Sequence, residues 1–156
     1  MRNQPHIFQI NLSQGGVPKM PQPSAEVTSL GLSGDLHNDT VHHGGPERAI
    51  SFYSLEIIRA LQDEGHPIFP GSTGENLTIS GLDWTRVDAG LRLALGDTVL
   101  IEVTRYVTPC KTIRDSFVDR QFDRISWRTN PGWARAYARV LIPGEIAVGD
   151  SVKIVD

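Results

Sequence analysis

The sequence predicts a mainly β fold with one principal α-helix. Glycine and proline, 15 and 10 of the 156 residues, recur so often that most segments between them are too short for helices. Several of those segments are rich in β-branched residues or alternate apolar with polar side chains, which is typical of strands. A hydrophobic share of 39% and a charged share of 21% are those of an ordinary globular chain. We therefore expect a single domain over residues 1–156.

Five segments carry the strand pattern. They span residues 6–12, 25–30, 76–79, 98–104 and 135–142. In the last of them the apolar Ala136 and Ala138 flank Tyr137, and arginines occupy positions 135 and 139. Because successive side chains of a strand point to opposite faces, this segment is predicted to have one apolar and one polar face.

Turns are predicted at three glycine-aspartate pairs, at positions 34–35, 96–97 and 149–150. Glycine adopts a positive φ readily, and aspartate accepts hydrogen bonds from nearby backbone. Each pair precedes a strand-like run, so each is expected to lead into a strand. The last two pairs head similar phrases and are interpreted as equivalent corners of a barrel.

The principal helix is predicted to begin at Pro46, a residue suited to the first helical position, with Glu47 in the first turn. Gly65 and Pro67 end a pattern of apolar side chains at helical spacing, namely Ile50, Tyr53, Ile57 and Leu61. A shorter helical turn is predicted over residues 112–118.

Composition and charge limit the class of partner. No apolar run approaches the roughly 18 residues that span a bilayer, and the polar start of the chain lacks the apolar stretch of a secretory signal. The net charge of -3 argues against nucleic-acid binding, which normally needs a dominant basic face. The sequence therefore predicts a soluble, cytoplasmic protein with no nucleic-acid and no membrane partner. Most basic residues are arginines, which leaves a local anion site open.

Cys110 is the single cysteine of the chain, which excludes an intramolecular disulfide and a cysteine-only zinc site. It follows Pro109 at the end of a predicted strand, with Arg105 and Lys111 as nearby cations. A helix start and adjacent positive charge favour the thiolate, which can act as a nucleophile, a sulfur carrier or a ligand for a soft metal. The alternative is a small buried apolar residue, the commonest role of a lone cysteine.

A second polar cluster combines histidine with aspartate, both of them metal-ligand types. Its members are Asp35, His37, Asp39 and His42. Their spacing matches no established metal-binding motif. We therefore expect a loop that is held by turn and capping hydrogen bonds and orders a site rather than binding zinc. Metal binding by this loop is left open by the sequence.

Two glycine-containing segments are candidates for contacts with a ligand. The first consists of His43, Gly44 and Gly45. It leads into the predicted helix, where backbone N–H groups can bind an anion; a tight turn that starts the helix is the other interpretation. The second, residues 71–77, lacks the lysine of a phosphate loop and leads into a strand. Its Glu75 and Asn76 are predicted either to clamp backbone groups or to contact a ligand.

Short motifs in a defined order extend over nearly the whole chain. They are Gly34-Asp35, His43-Gly44-Gly45-Pro46, Tyr53 with Glu56, Gly74-Glu75-Asn76-Leu77, Gly81-Leu82, Gly96-Asp97 and Pro109-Cys110. Together they resemble the MOSC family, named for the C-terminal domain of molybdenum cofactor sulfurase. The opening phrase, residues 11–19, resembles that of stand-alone members. The sequence is therefore identified as a stand-alone member of this family.

The resemblance implies a closed, barrel-like β fold with the helix inserted. It also implies binding of the molybdenum cofactor (molybdopterin), or handling of sulfur for it, and an association with pyridoxal phosphate binding. The family's cysteine corresponds to Cys110, as molybdenum ligand or persulfide carrier, and both roles suit a thiolate. The residues assigned to cofactor binding on this basis are Lys19, His43, Gly44, Gly45, Gly74, Glu75, Asn76, Arg105 and Lys111.

Relatives that reduce N-hydroxylated compounds use the bound metal for two-electron chemistry. Many relatives have an arginine three residues before the cysteine, whereas this chain has Val107 there and Arg105 two residues earlier. The chain ends at Asp156 without an extension for electron transfer, so reductase activity would require a separate electron-donor protein. Two other hypotheses are a sulfur relay that receives a persulfide on Cys110 from a cysteine desulfurase, and a β-barrel interaction module in which Cys110 is buried.

Overall fold

The computed structural model of the chain describes residues 4–13, 15–35 and 45–155. These residues form strands β1 (His6–Leu12), β2 (Met20–Gln22), β3 (Ser24–Thr28), β4 (Gly31–Leu32), β5 (Ile50–Ser54), β6 (Leu77–Ser80), β7 (Arg92–Leu95), β8 (Val99–Tyr106), β9 (Ala136–Ile142), β10 (Gly144–Ala147) and β11 (Val152–Val155). Helix α1 spans Leu55–Asp63, and 3-10 helices span Pro46–Arg48, Trp84–Arg86, Lys111–Ser116, Val118–Arg120 and Phe122–Ile125. The predicted mainly β fold with one principal helix is confirmed.

The main sheet has eight strands in the order β11-β7-β8-β9-β5-β6-β1-β2. Strands β5 and β6 run parallel, and helix α1 lies between them in sequence. The other neighbours are antiparallel. A second sheet has three antiparallel strands in the order β10-β3-β4.

The closed barrel implied by the family resemblance is not confirmed. Within the described ranges, the main sheet ends at β11 on one side and at β2 on the other. The start of β1 does approach the start of β11, since His6 and Ser151 form an isolated bridge and Ile7 N donates to Asp150 O at 2.9 Å. A bridge of this kind is not the continuous ladder that closes a barrel.

The apolar core lies against one face of the main sheet. It includes Ile7 and Ile10 of β1, Ile50 and Phe52 of β5, Leu77 and Ile79 of β6, Ile101 and Val103 of β8, and Ala136 and Ala138 of β9. Because strand side chains alternate, the residues between these ones point to the opposite face. That second face is also buried along β5 and β6, and it carries polar side chains.

A smaller apolar layer covers part of this second face. Tyr53 of β5 packs there with Ile58 and Leu61 of α1 and with Ile113 and Phe117 from the segment after β8. The amphipathic helix and the 3-10 helices therefore form a lid over a polar sheet surface, and this lid positions the candidate site.

The prediction of a helix that begins at Pro46 is wrong for the first half of that helix. Pro46–Arg48 form one 3-10 turn, the next residues form β5, and α1 begins at Leu55. All five residues of β5 are buried. Apolar side chains at positions 50 and 53 therefore fit helical spacing without indicating a helix, because a strand buried on both faces is apolar at every spacing.

This correction removes the α-helix terminus at which an anion site was expected. The residues after Gly45 form a three-residue 3-10 helix, which has too few aligned peptide units for a helix dipole. His43 and Gly44 lie outside the described residues. The α-helix itself begins at Leu55 and is capped by Ser54, whose side chain accepts a hydrogen bond from Ile57 N at 3.1 Å.

The predicted turns and most strands are confirmed. The first strand has the predicted bounds 6–12, and the strand near the end spans 136–142, one residue shorter than the predicted segment. Gly34, Gly96 and Gly149 have φ values of 87°, 60° and 94°, the conformation for which glycine is suited. The 3-10 helices after Cys110 correspond to the predicted helical turn. Nowhere in the described part of the chain is there a helix with the length and apolar character that a membrane crossing requires.

Candidate functional site

The candidate site lies on the polar second face of the main sheet. Strand pairing aligns its residues across four neighbouring strands. Ser51 is opposite Tyr137, Tyr53 is opposite Thr78, and Tyr137 is opposite Arg105. Paired residues have their side chains on the same face, so a row of polar groups crosses the sheet beneath the loop of residues 71–76.

Asn76 fixes this loop to the sheet. Its Oδ1 accepts from Ser51 N at 3.1 Å, and its Nδ2 donates to Asp35 Oδ2 at 2.9 Å. Asn11 of β1 adds a second attachment, because its Nδ2 donates to Glu75 O at 3.1 Å and Asn11 N donates to Asn76 O at 2.7 Å. The loop is thus bonded to both β1 and β5.

Glu75 is a completely buried carboxyl group in the same loop. Its Oε2 accepts from Gly71 N at 3.1 Å and from Thr78 Oγ1 at 3.2 Å, while Oε1 accepts from Thr73 Oγ1 at 2.8 Å. Burial raises the pKa of Glu75, and these hydrogen bonds and the charge of Arg135 oppose the increase. The arrangement clamps backbone and hydroxyl groups, which is one of the two roles predicted for Glu75.

Lys19 and Asp35 form a buried ion pair beside the loop. Lys19 Nζ is 2.7 Å from Asp35 Oδ2, and the two side chains are 7% and 3% exposed. Asp35 Oδ1 also accepts from Ser13 N at 2.9 Å. The lysine charge is therefore compensated within the protein, and Asp35, which the sequence grouped with possible metal ligands, has an ammonium partner.

Arg135, immediately before β9, is a buried cation that sequence reasoning did not select. It is 6% exposed, and its Nη1 donates to the backbone oxygen of Thr73. Its Nε is buried without a hydrogen-bond partner. Burial lowers the pKa of Arg135, while Tyr137, Tyr53 and Glu75 act in the opposite direction. A guanidinium stays protonated even in such surroundings, so Arg135 introduces a positive charge beneath the loop.

Cys110 lies at the end of the segment that follows β8. It is an exposed free thiol, and its Sγ donates to Thr112 Oγ1 at 3.3 Å. It directly precedes the 3-10 helix Lys111–Ser116, in agreement with the prediction that Cys110 lies at a helix start. The alternative in which Cys110 is buried is wrong, because Pro109 and Ile113 take the interior positions of this segment while the thiol faces outward.

Backbone pairing brings Cys110 close to Arg135. Val107 N donates to Arg135 O at 2.9 Å, and Cys110 is three residues further along the chain. The charges of Arg135 and Cys110 interact, and both act on Tyr137 as well. The thiol therefore lies within electrostatic range of the buried guanidinium, although 25 positions separate the two residues in the chain.

Tyr137 connects the buried and exposed parts of the site. It is 8% exposed and lies opposite Arg105 in the sheet. The Arg48 guanidinium carbon is 6.0 Å from the centroid of its ring. Burial raises the pKa of Tyr137, and Arg135, Arg48 and Arg105 oppose that effect. Three arginines thus act electrostatically on Tyr137.

The predicted site residues fall into two described groups. Lys19, Glu75 and Asn76 are buried, with Gly74 half-buried beside them, whereas Gly45, Arg105, Cys110 and Lys111 are exposed. Gly74 adopts a φ of 81° and its carbonyl accepts from Ser51 Oγ at 3.2 Å. The structure joins the buried group into one network with the sheet. Arg135 and Tyr137, which sequence reasoning missed as site residues, connect this network to the thiol. Their signal was the polar face predicted for the strand segment at 135–142.

No group of three or more histidine, cysteine, aspartate or glutamate side chains that would hold a metal ion occurs in residues 4–13, 15–35 and 45–155. This statement covers Asp35 of the histidine-aspartate cluster. His37, Asp39 and His42 lie outside the described residues, so the expectation for that loop remains a prediction.

These features define a β protein that presents one exposed thiol beside a buried, positively charged sheet surface. The chain belongs to the MOSC domain family, whose profile matches residues 39–153. The resemblance identified from the sequence motifs is thereby confirmed.

Three named relatives match most of this chain. YflK of Bacillus subtilis (strain 168) is 28% identical over 141 residues, which cover 89% of this chain and 62% of YflK. A protein named reductase from Gibberella moniliformis is 31% identical over 134 residues, with coverages of 83% and 23%. YiiM of Escherichia coli (strain K12) is 28% identical over 134 residues, with coverages of 83% and 58%. The chain thus spans less than two thirds of each of these relatives.

Solved structures show the same fold. YiiM from Geobacillus stearothermophilus superposes with a TM-score of 0.76 at 24% identity, and the match covers 97% of this chain and 75% of YiiM. The YuaD protein from Bacillus subtilis superposes with a TM-score of 0.73 at 18% identity, with coverages of 99% and 97%. At these identities the likeness concerns the architecture.

Proposed function

We propose that this chain binds a molybdenum cofactor and that the Cys110 thiolate is the protein's ligand to the metal. The observation that carries the proposal is the exposed free thiol of Cys110 within electrostatic range of the buried Arg135, whose Nε has no hydrogen-bond partner. Membership of the MOSC family and the relative named reductase support it.

The donor set fits such a group. A thiolate is a soft ligand and suits a soft metal centre, and Cys110 is accessible from solvent. The pterin part of the cofactor carries a phosphate. Arginines are suited to bind phosphate because their planar donors match its oxygens, and Arg48, Arg105 and Arg135 lie around this face.

Each group has a distinct role in the proposal. Cys110 binds the metal, and Arg105 and Lys111, both exposed, contact the anionic parts of the cofactor from the solvent side. The network around Glu75 and Asn76 holds the 71–76 loop rigidly against the sheet, and Lys19 neutralises Asp35 within it. When bound, the cofactor would supply two-electron redox chemistry, for example the reduction of N-hydroxylated compounds, with electrons from a separate donor protein.

Expression in cells that synthesise the cofactor tests this proposal. Molybdenum is measured by elemental analysis and pterin by the fluorescence of the released, oxidised ring. The wild-type chain is expected to retain both, and Cys110→Ser is expected to lose the metal. Val148→Ser, at an exposed turn position 47% accessible, serves as control for a serine at the surface. Absence of metal and pterin from the wild type, with Cys110→Ser indistinguishable from it, would refute the proposal.

The accessibility of Cys110 favours a second candidate function, a sulfur relay. In it, Cys110 attacks the terminal sulfur of a persulfide on a cysteine desulfurase, and the desulfurase thiolate leaves, so that the sulfane sulfur moves without net oxidation. An exposed thiol is required because the partner's persulfide must reach it. Intact-mass spectrometry after incubation with a desulfurase and cysteine should show one added sulfur, absent in Cys110→Ser. An unchanged mass in the wild type would exclude this function.

A further inference from the structure

Arg135 has an unusual balance of partners for a buried cation. Arg135 is 6% exposed. Within the described residues, its side chain donates a hydrogen bond from Nη1 to the Thr73 carbonyl. Its Nε has no acceptor. A buried donor without an acceptor costs free energy, so a group that persists in this state is a candidate for a role that a ligand completes.

The position of Arg135 points to the thiol. Thr73 of the 71–76 loop holds one side of the guanidinium. The backbone oxygen of Arg135 accepts a hydrogen bond from Val107 N. This bond fixes the start of the segment that carries Cys110. The charges of Cys110 and Tyr137 both act on the guanidinium of Arg135, and the guanidinium in turn lowers the pKa of Tyr137. Arg135 is therefore bonded to the loop and interacts electrostatically with the exposed sulfur.

The other charged and titratable groups near Arg135 do not neutralise it by direct contact. Glu75 interacts with it through space, but the carboxylate oxygens of Glu75 are bonded to Gly71, Thr73 and Thr78. No ion pair within 4.0 Å joins Arg135 to a described carboxylate. Tyr53 donates its hydroxyl hydrogen to the Trp133 carbonyl. The positive charge is thus available to a guest at Cys110.

We propose that Arg135 positions an oxyanion group next to the Cys110 thiol. The group is a phosphate ester or an oxygen-bearing metal centre, and Arg135 acts on it by charge and by its unpartnered N–H. This inference rests on the proposed function, in that the cofactor carries both kinds of group. Arg135 is a positioning residue, because the sulfur of Cys110 makes the bond to the guest.

The test compares alkylation of Cys110 by iodoacetate, which is anionic, and by iodoacetamide, which is neutral. Both reagents require the thiolate, so the ratio of their rates cancels thiolate fraction and steric access and reports the local potential. The protein is the full chain purified without cofactor. In Arg135→Gln we expect the iodoacetate-to-iodoacetamide ratio to fall about three- to tenfold, the scale of one charge at short range under moderate screening. Arg135→Lys retains the charge and should stay within about twofold of the wild type.

Arg114→Gln is the matched control. Arg114 lies in the 3-10 helix that follows Cys110, is exposed, and donates its Nη1 to the Lys111 carbonyl at 2.9 Å. Its replacement removes the same charge from the same region without touching the buried face. A general effect of net charge would lower the ratio in both variants, and such an equal decrease would contradict the proposal. An unchanged ratio in folded Arg135→Gln would also overturn it.

A second measurement uses the wild type and does not depend on the folding of the glutamine variant. Inorganic phosphate and molybdate are each added during iodoacetamide alkylation, with chloride at equal ionic strength as reference. Saturable protection by phosphate assigns Arg135 to a phosphate ester, and protection by molybdate assigns it to the metal's oxygens. Arg135→Lys should shift the half-protecting concentration, because lysine lacks the guanidinium fork. Protection by neither anion up to tens of millimolar would overturn the proposal.

The two proposals can fail separately. If the protein never acquires molybdenum in cells but an oxyanion protects Cys110 through Arg135, the proposed cofactor is refuted and the anion site stands. If the protein binds molybdenum but Arg135→Gln alters neither the rate ratio nor the protection, the proposed cofactor stands and the proposed role of Arg135 is refuted.

Discussion

Lys19 Nζ and Asp35 Oδ2 are 2.7 Å apart in the interior, with side chains 7% and 3% exposed. Removing one member of such a pair leaves an uncompensated buried charge, which costs about 3–5 kcal/mol. We expect Lys19→Met to lower the free energy of unfolding by about 3 kcal/mol in urea titrations. Lys153→Met, at an exposed position, should change it by less than about 0.5 kcal/mol.

The pair also predicts non-additivity. The double variant Lys19→Met with Asp35→Asn should be less destabilised than the sum of the two single variants, because neither charge is then left alone. Asp35 keeps neutral donors, since Ser13 N and Asn76 Nδ2 both reach its oxygens. Additive effects in this cycle would show that the two side chains are not coupled.

Gly71 allows the loop to approach the sheet closely. A Cβ at this position would lie 2.4 Å from Lys19 O, and the backbone has a φ of +90°. Gly90 has a similar φ of +93° with open space around the Cβ direction. Gly71→Ala should therefore cost about 2–4 kcal/mol and Gly90→Ala about 1 kcal/mol.

The comparison of the two glycine variants separates the steric clash from the backbone strain. Both variants have an alanine at positive φ, but only in Gly71→Ala does the added Cβ clash with Lys19 O. Thermal and urea unfolding of both variants provide the measurement. Equal losses at the two positions would mean that the loop moves away from Lys19 without cost.

Glu75 predicts a pH dependence of stability. Burial raises its pKa in the folded state, so the folded protein holds this proton more strongly than the unfolded chain does. The resulting stabilisation is fully present below the ordinary glutamate pKa of about 4.3 and is lost as the pH rises through the raised value. The stability of the wild type relative to Glu75→Gln should therefore fall as the pH increases from about 4 towards neutrality.

Urea unfolding at several pH values gives this difference directly. Glu145→Gln replaces an exposed carboxyl group and is expected to show no such trend relative to the wild type. A difference between wild type and Glu75→Gln that is constant with pH, or that grows as the pH rises, would contradict the burial effect.

Cys110 predicts rapid labelling of the native protein. Because the thiol is exposed, a disulfide reagent such as DTNB should react with one equivalent at a similar rate in buffer and in denaturant, within about tenfold. Cys110→Ser should abolish labelling and change the free energy of unfolding by less than about 0.5 kcal/mol. Labelling that occurs only after unfolding would show that the thiol is covered.

Local sequence patterns predicted the strands at 6–12 and 135–142 and the turns at the glycine-aspartate pairs, because alternation and positive φ are properties of short segments. The same patterns failed at Ile50–Ser54. A strand buried on both faces has no polar spacing that would distinguish it from a helix. The burial of this strand arises from the apolar core on one face and from the layer around α1 on the other.

The candidate site was predicted in part for the same reason. Cys110 was found because it is the single cysteine of the chain, and Glu75 and Asn76 because they follow a glycine before a strand. Arg135 and Tyr137 were not selected, since their meaning depends on the pairing of β9 with β5 and β8, which no local pattern reveals.

By itself, the sequence determined the family, the mainly β composition of the fold and the single thiol, since these depend on residue types and their order along the chain. The tertiary structure alone decided which charges are compensated in the interior and which remain available, because that depends on neighbours far apart in sequence. Lys19 acquires Asp35 as partner, whereas Arg135 is buried with one donor unpaired. The free energy of a buried charge is set by its surroundings, and the fold brings those surroundings together.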